Sequence, residues 1–232
     1  MEPETASAAA IVLAAGAGRR LGADDPKAFV TIGDRPLLAV AAAAAAASPS
    51  VGSLIVTAPT GLEDRAAGCV EFLGKPVTVI GGGLTRQASV RLALASLPDG
   101  IEIVAVHDAA RPFAPPDLFT AVIAAVAEGA TGAIPVIPVA DTVKRVHDGV
   151  VVGTLDREEL ALAQTPQAFR VEALRGAHAR ADAAGVDVTD DAALLELAGG
   201  RVVAVAGDAR NFKITTFLDL ARAEARIGGA HA

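Results

Sequence analysis

The strongest constraint on the fold is a regular alternation of short apolar segments with longer segments of helical character. The predicted strands cover residues 9–16, 53–59, 77–83, 102–110 and 132–139, and the predicted helices cover residues 36–47, 86–97 and 116–129. Strands that are apolar along their whole length and separated by helices indicate a mostly parallel sheet with helices on both faces. We therefore expect one α/β domain over residues 1–232. Ligands of such sheets bind beyond the carboxyl ends of the strands, so the loops after the strands are the places to look for chemistry.

The loop after the first predicted strand reads LAAGAGRRLGADDPKAF, residues 13–29. A dinucleotide-binding turn needs the pattern G-x-G-x-x-G. After Gly16 and Gly18 the third glycine comes one residue late, at Gly22. Pro26 also falls where the helix of that motif would run, and a proline there has no amide donor. The dinucleotide interpretation is therefore disfavoured.

A polyphosphate fits the same loop better. Small residues allow backbone N–H groups to point inward and bind an anion, and these residues are Ala14, Ala15, Gly16 and Gly18. Arg20 and Lys27 add positive charge, the arginine as a planar fork and the lysine as a point charge. The P-loop pattern G-x-x-x-x-G-K-[ST] is absent, which excludes a Walker-type NTPase. An ordinary surface turn with solvated charges is the remaining alternative.

The segment VHDAARPF, residues 106–113, follows a predicted buried strand and places Asp108 at the carboxyl end of that strand. A single carboxylate beside a triphosphate suits Mg²⁺ or another divalent cation, because Mg²⁺ takes few protein ligands and keeps phosphate and water in its shell. A carboxylate that only caps a turn is the alternative. We expect Arg111 to pair with a nearby carboxylate or steady the loop, and His107 to be packed or solvated.

Three consecutive glycines, residues 81–83, end the third predicted strand. Without a Cβ atom the backbone can come close to a flat base, and Ser89 offers a hydroxyl group three residues after Arg86. A plain loop is an equal alternative.

Residues 141–157 interrupt the α/β alternation with β-branched runs around Asp148-Gly149, a strong hairpin-turn dipeptide. We expect a protruding β-hairpin arm that contacts a second subunit, and a hairpin folded over its own sheet is the alternative.

Composition limits the function classes. The net charge of −7 and the absence of tryptophan and tyrosine disfavour nucleic-acid binding. Cys69 is the only cysteine, which excludes an internal disulfide and a cysteine-based zinc site. No segment is long and apolar enough for a membrane span, and the first seven residues contain two acids and no basic residue. We therefore expect a cytoplasmic protein without membrane or nucleic-acid partners.

The pattern L-A-A-G-x-G-x-R-x-G-x-x-x-P-K resembles the signature of sugar-phosphate nucleotidyltransferases. The blocks that follow, in order, are GGGLTRQASV, VHDAARPF, DTVKR, TLDR, QTPQAF, VTDDAALLE and FKIT. With them the chain resembles the family of 2-C-methyl-D-erythritol 4-phosphate cytidylyltransferases of the non-mevalonate isoprenoid pathway, over residues 9–221. Ala28 stands where this family commonly has Gln, and Phe212 where Ile is usual.

The resemblance implies a Rossmann-like fold of the nucleotidyltransferase type and transfer of CMP from CTP to 2-C-methyl-D-erythritol 4-phosphate. The products would be 4-diphosphocytidyl-2-C-methyl-D-erythritol and pyrophosphate, and Mg²⁺ would be the cofactor. It also implies site residues: catalytic Arg20, Lys27 and Lys213; nucleotide-binding Ala14, Ala15, Gly16, Gly18, Gly82, Gly83, Ser89, Ala109 and Arg111; acceptor-binding Thr142, Arg157, Thr165 and Thr189; and Asp108 at the metal.

In this family the positions of Thr142 and Arg157 belong to the arm of the neighbouring subunit, which implies a homodimer formed through the arm. The residues alone leave other roles open. Thr189 could be a helix N-cap and Thr165 a turn residue beside Pro166, whereas Lys213 lies in a short run that resembles a strand. Two other functions also stay open. Ribitol 5-phosphate cytidylyltransferases share the first loop and a DAARP-like block, and a non-catalytic CTP-binding regulator could have the same fold.

Overall fold

The structure is a computed structural model that describes residues 8–16, 18, 21–22 and 25–229. Its strands are β1 (Ala8–Leu13), β2 (Thr31–Ile32), β3 (Arg35–Pro36), β4 (Ser53–Ala58), β5 (Val77–Gly81), β6 (Ile103–Asp108), β7 (Gly132–Pro138), β8 (Lys144–His147), β9 (Val150–Thr154), β10 (Ala161–Ala163), β11 (Gln167–Arg170) and β12 (Val202–Ala206). Its α-helices are α1 (Leu37–Ala47), α2 (Glu63–Gly68), α3 (Arg86–Ala95), α4 (Pro116–Ala127), α5 (Val171–Ala184), α6 (Asp191–Leu197) and α7 (Phe217–Gly229). Single turns of 3₁₀-helix occur at Lys27–Phe29, Glu71–Leu73 and Arg157–Glu159.

Eight strands form the main sheet, in which β7, β11, β6, β1, β4 and β5 are successive neighbours, and β10 and β12 also pair with β7. The pairs β1–β4, β1–β6, β4–β5 and β7–β12 are parallel, whereas β10 and β11 run antiparallel to their neighbours. The expected mostly parallel sheet is therefore confirmed. The antiparallel strands β10 and β11, which have only three and four residues, were not predicted from the sequence.

Helices cover both faces of this sheet, as predicted. On β1, Ala10 and Val12 point to a core layer shared with α1, α2 and α4, whereas Ala9 and Ile11 point to a layer shared with α3, α5 and α6. The sequence AAAIVL of β1 is therefore apolar throughout because both of its faces are buried. Within the described residues, no helix has the length and apolar character needed to cross a membrane.

The hairpin predicted at residues 141–157 forms as β8 and β9, which pair with each other in a separate two-stranded sheet. Asp148 and Gly149 have φ angles of 46° and 77°, and two positive φ angles are typical of the tight turns that join hairpin strands. Every residue of both strands is exposed. This exposure favours a protruding arm over a hairpin packed on its own sheet.

Candidate functional site

A cavity of about 440 Å³ opens at the carboxyl ends of β1, β4 and β6. This is the edge of the sheet at which the sequence predicts chemistry. The register pairs Leu13 with Asp108, so the last residues of β1 and β6 lie side by side at the cavity. The lining residues are Leu13, Ala14, Ala15, Gly16, Gly18, Lys27, Ala28, Thr57, Gly83, Leu84, Thr85, Arg86, Ser89, Asp108, Ala109, Ala110, Lys213 and Thr215.

Ten of the predicted site residues meet in this lining: Ala14, Ala15, Gly16, Gly18, Lys27, Gly83, Ser89, Asp108, Ala109 and Lys213. They come from loops that are far apart in the chain. Arg20, predicted to be catalytic, lies outside the described residues. The other predicted site residues do not line the cavity: Gly82, Arg111 and Thr165 are buried or half-buried, and Thr142, Arg157 and Thr189 are exposed.

The first loop packs tightly against the turn that carries Lys27. Gly18 has a positive φ angle of 63°, and a Cβ atom built on it would lie 2.5 Å from the Lys27 Cβ atom. The Lys27 turn is also held from outside by Arg65 on α2. Its guanidinium donates two hydrogen bonds to the Asp25 carboxylate, at 2.8 and 2.6 Å, and lies 4.0 Å from the centre of the Phe29 ring. These contacts fix the chain on both sides of Lys27.

The glycine segment after β5 packs against the first loop. A Cβ atom on Gly82 would lie 2.2 Å from the Ala15 Cβ atom, and one on Gly83 would lie 2.5 Å from the Ala88 Cβ atom. The Gly83 N–H donates to the Ser89 hydroxyl oxygen at 3.1 Å, and this hydroxyl donates to the Thr85 carbonyl oxygen at 3.0 Å. Ser89 therefore fixes the glycine loop at the start of α3, and Gly82 and Gly83 are required by close packing.

Asp108 is the acidic centre of the cavity. Lys213 Nζ donates to its Oδ2 at 2.6 Å, and Arg86 Nε lies 3.4 Å from its Oδ1. Burial by itself raises the pKa of the Asp108 carboxyl, but the charges of Arg86 and Lys213 outweigh it and hold that pKa well below its usual range. Asp108 is therefore a carboxylate. The prediction that Lys213 lies in a strand is wrong, because residues 211–215 are not in a strand. The Ile214 N–H donates to the Ala110 carbonyl oxygen.

A chain of hydrogen bonds supports Asp108 from behind. The Asp108 N–H donates to Thr165 Oγ1 at 3.1 Å, Thr165 Oγ1 lies 3.1 Å from His107 Nδ1, and His107 Nε2 lies 3.1 Å from the Arg111 carbonyl oxygen. Since that carbonyl only accepts, Nε2 carries the proton and Nδ1 accepts from Thr165. Burial lowers the pKa of His107 to about 4, so the ring is neutral at pH 7. His107 is packed, as expected.

Arg111 and Thr165 support the site without lining the cavity. Arg111 donates to the carbonyl oxygens of Asn211 at 2.8 Å and of Ala163 at 3.3 Å, and thereby joins the Asp108 loop to the segment that carries Lys213. This arrangement fits the expected role of steadying the loop. Thr165 is buried, and the Asn211 side-chain amide donates to its carbonyl oxygen at 2.9 Å.

The three exposed acceptor candidates do not line the cavity. Thr142 precedes β8, and Arg157 donates to the Ala140 carbonyl oxygen at 2.9 Å beside a shallow hollow of about 370 Å³ at the base of the arm. Thr189 does not cap a helix. The N-cap of α6 is Asp190, whose carboxylate accepts from the Ala193 N–H at 3.1 Å. The alternative role of Thr189 is therefore wrong, because the helix begins one residue later.

An ion network that was not predicted from the sequence lies next to Asp108. Arg86 Nη1 donates to Asp191 Oδ2 at 2.6 Å, and His178 Nε2 donates to Asp191 Oδ1 at 3.0 Å. The position of Arg86 in the first turn of α3, directly after the glycine segment, could have indicated that it lies at the cavity. Nothing in the local sequence indicated its pairing with Asp191, which lies 105 residues later.

The described residues offer a magnesium ion a single carboxylate ligand, Asp108. The described part of the chain contains no cluster of three or more His, Cys, Asp or Glu residues that could hold a metal. Asp108 offers one ionised carboxylate that faces the cavity, beside loops suited to phosphate oxygens. This donor set suits Mg²⁺, which completes its octahedral shell with phosphate oxygens and water. It does not suit a metal that needs a closed protein cage.

Comparison with known proteins gives consistent results. Residues 8–228 match the family described as 2-C-methyl-D-erythritol 4-phosphate cytidylyltransferase. A relative of that name from Frankia casuarinae is 47% identical over 94% of this chain and 80% of its own length. The "Bifunctional enzyme IspD/IspF" of Clavibacter michiganensis is 46% identical over 95% of this chain, which spans 55% of that protein.

Solved structures of similar proteins have the same fold. The 4-diphosphocytidyl-2C-methyl-D-erythritol synthase of Anaerococcus prevotii superposes with a TM-score of 0.87 over 97% of both chains, at 28% identity. The 2-C-methyl-D-erythritol 4-phosphate cytidylyltransferase of Thermus thermophilus has a TM-score of 0.78 and 36% identity over 94% of this chain and 98% of its own. The match to the family extends over nearly the whole chain, and the chain therefore belongs to the 2-C-methyl-D-erythritol 4-phosphate cytidylyltransferase family.

Proposed function

We propose that the chain transfers the CMP moiety of CTP to 2-C-methyl-D-erythritol 4-phosphate, with release of pyrophosphate, in the synthesis of isoprenoid precursors. The observation that carries this proposal is the convergence of the small residues of the first loop with Lys27, Asp108 and Lys213 in one cavity. A single catalytic domain over residues 1–232, with an arm at residues 141–157, is part of the proposal.

The proposal places the two ends of the nucleotide on different parts of the cavity wall. Its triphosphate would lie against Ala14, Ala15, Gly16 and Gly18, whose backbone amides would bind the phosphates, with Lys27 at the side. Its base and ribose would lie against the glycine segment after β5, where the absence of Cβ atoms lets the backbone read a flat base. Arg20, close to Gly18 in the sequence, would add a second positive charge at the phosphates.

The reaction needs positioning and charge rather than a general base. The acceptor phosphate is already anionic near pH 7, and one of its oxygens forms a bond to the α-phosphorus as the bond to the pyrophosphate oxygen breaks. Lys27 and Lys213 would stabilise the negative charge that develops at this phosphorus. Both side chains line the same cavity, so one phosphorus atom between them can meet both charges.

Asp108 is the proposed contact of Mg²⁺ or another divalent cation. When bound, the cation neutralises phosphate charge and assists the departure of pyrophosphate. The role of the chain is to present one ionised carboxylate oxygen to it. Thr165 and His107 support this role, because they fix the backbone N–H of Asp108 and hence the direction of its side chain.

The acceptor would bind where a second subunit reaches the cavity. Thr142 and Arg157 are exposed at the base of the arm and do not line the cavity of their own chain. We propose a homodimer in which the arm of one subunit brings these residues to the partner's cavity, and in which Thr165 and Thr189 support the acceptor side. Exposed valines on the arm, Val146, Val150, Val151 and Val152, support a subunit contact. A cytoplasmic location stays a prediction.

A pyrophosphate-release assay tests the function directly. It compares CTP with UTP and ATP, and 2-C-methyl-D-erythritol 4-phosphate with D-ribitol 5-phosphate. We expect turnover with CTP and the methylerythritol acceptor. Turnover with D-ribitol 5-phosphate and not with the methylerythritol acceptor would show that ribitol phosphate is the acceptor. CTP binding without pyrophosphate release would identify a non-catalytic regulator.

Two variants test the mechanism. Lys27→Ala and Lys213→Ala should each lower kcat by about 10²–10³-fold, as the loss of other electrostatic stabilisers does, while the chain stays folded. Lys75→Ala is the matched control. Lys75 Nζ donates to the carbonyl oxygens of Ser48 and Val51 at 2.7 and 2.5 Å, away from the cavity, so its loss should affect stability and leave kcat unchanged. A near-normal kcat in either cavity variant contradicts the mechanism.

A further inference from the structure

A buried cluster of charges lies behind the proposed metal contact. Arg86, the first residue of α3, stands between two carboxylates, Asp108 at the end of β6 and Asp191 at the start of α6. The Asp191 side chain is 1% exposed and the Arg86 side chain is 28% exposed. A guanidinium group in this position can pair with either carboxylate. The distances from its nitrogen atoms to the two carboxylates show which pairing is stronger.

Arg86 is shared unequally between the two. Its Nη1 donates to Asp191 Oδ2 at 2.6 Å, whereas its Nε lies 3.4 Å from Asp108 Oδ1. The shorter contact has the length of a strong charge-assisted hydrogen bond, and the longer one is at the limit of a hydrogen bond. Asp191 therefore holds most of the interaction, although Asp108 is the carboxylate that faces the cavity.

Asp191 is itself fixed. His178 Nε2, on α5, donates to Asp191 Oδ1 at 3.0 Å, and both side chains are almost completely buried. The backbone at Asp191 is set by the N-cap Asp190. Arg86 thus has a partner that cannot move towards the cavity, and the guanidinium stays with it.

Arg86 also retains unused hydrogen-bonding capacity. Its Nη2 atom is buried and has no hydrogen-bond partner among the described residues. If Asp191 lost its charge, the guanidinium could turn towards Asp108 and make a two-point contact with its carboxylate. Since Lys213 already lies 2.6 Å from Asp108 Oδ2, both carboxylate oxygens would then be engaged by cationic side chains.

We propose that Asp191 is a positioning residue that draws Arg86 away from Asp108 and so leaves Asp108 Oδ1 accessible to the divalent cation. This inference rests on the proposed function, in which Asp108 contacts that cation. It gives the second carboxylate of the VTDDA block a role in metal affinity that acts through Arg86. Asp191 itself does not line the cavity.

Metal binding measures this role directly. The dissociation constant of Mn²⁺ is determined by electron paramagnetic resonance for the full chain in the presence of α,β-methylene-CTP, an analogue that cannot release pyrophosphate. Asp191→Asn keeps the size of the side chain and an oxygen for His178, but removes the charge that holds Arg86. We expect Mn²⁺ to bind about tenfold more weakly, as for other residues that orient a metal ligand. The Mg²⁺ concentration for half-maximal activity should rise in parallel.

Two further variants separate positioning from simple support of the fold. In Asp191→Asn/Arg86→Gln the surplus cation is removed as well, so Mn²⁺ affinity should recover although both charges of the buried pair are gone. His178→Gln removes the other hydrogen bond of Asp191 without changing its charge. It should lower the thermal stability and leave Mn²⁺ affinity close to that of the unmodified chain.

The outcomes are distinguishable. Unchanged Mn²⁺ affinity in Asp191→Asn, no recovery in the double variant, or equal weakening in His178→Gln would each overturn the inference. Asp108→Asn tests the premise. If it weakens Mn²⁺ binding and Asp191→Asn does not, only the inference fails; if Asp108→Asn has no effect on Mn²⁺ binding, the proposed metal contact fails with it.

Discussion

Replacing Gly82 by alanine would push the two loops of the nucleotide site apart. A Cβ atom at this position would lie 2.2 Å from the Ala15 Cβ atom, 3.1 Å from Ser89 Oγ and 3.3 Å from the Ala58 carbonyl oxygen. Carbon atoms in contact are normally about 3.5–4.0 Å apart. The loops must therefore separate by roughly 1.5 Å, and neither Ala15 nor the backbone of Ala58 has a flexible side chain that could move aside.

The size of the effect follows from this displacement. Overpacking of this kind costs about 1–3 kcal/mol of stability, which leaves the chain folded if it has ordinary stability. A misplacement of about 1 Å in a catalytic site can cost about 10²-fold in rate. We therefore expect Gly82→Ala to lower kcat/KM for CTP by about 10²-fold in the pyrophosphate-release assay, with a small decrease in Tm.

Gly81→Ala is the matched control for this prediction. Its Cβ atom would meet Glu63 Oε1 at 2.7 Å, which is the end of a flexible side chain that can swing away. We expect kcat/KM for Gly81→Ala within a few-fold of the unmodified chain. If Gly82→Ala retained normal kcat/KM, or if both variants lost activity equally, close packing of Gly82 on the nucleotide loop would not be what sets the geometry of the site.

Three other predictions concern the surroundings of the cavity. Burial lowers the pKa of His107 to about 4 in the folded chain, so its ring is neutral there at pH 7. Between pH 6.5 and 4 the unfolded chain therefore binds a proton at this residue that the folded chain does not bind. The free energy of unfolding falls as the pH falls through this range. This residue should make the free energy of unfolding in urea about 2 kcal/mol smaller at pH 5 than at pH 7, and a pH dependence unchanged in His107→Asn would refute this assignment. Arg65→Lys loses the fork to Asp25 and the stacking on Phe29, so kcat/KM should fall about tenfold with little change in Tm; Arg91→Lys, which alters an exposed ion pair with Asp182, should leave kcat/KM unchanged. Asp219→Ala removes a capping box with Thr216 at the start of α7, which should cost about 1 kcal/mol of stability, measured as a lower Tm; an unchanged Tm would show that this cap is not needed.

The part of the fold that could be predicted from the sequence is the part with continuous burial. β1, β4, β6 and β7 are apolar because helices cover both faces, and α4 shows its ends through Pro116 at its first position and Gly129 after its last turn. β10 and β11 could not be predicted in this way. They are short, β10 is exposed, and their antiparallel pairing with β7 depends on tertiary structure rather than on local pattern.

The residues of the candidate site likewise fall into those that could be predicted from local sequence and those that could not. Asp108 was predictable because the end of a buried strand points into the cleft, and Gly18 and Lys27 were predictable from the composition of one loop. The pairing of Arg86 with Asp191, and of His178 with Asp191, joins three helices that carry no local signal of their contact. The supporting role of Thr165 was missed for the same reason, since its hydroxyl group meets Asp108 and His107 across the sheet.

The wall of the cavity draws on segments that lie between residues 13 and 215 of the chain. No single segment carries the site, so the site exists only when the first and last thirds of the chain have docked together. A ligand that binds there and not to the unfolded chain must therefore stabilise the chain as a whole, by about 2.7 kcal/mol at a concentration a hundred times its Kd. Nucleotide binding should accordingly slow hydrogen exchange in β1 and β6 at the centre of the sheet as well as in the loops it touches.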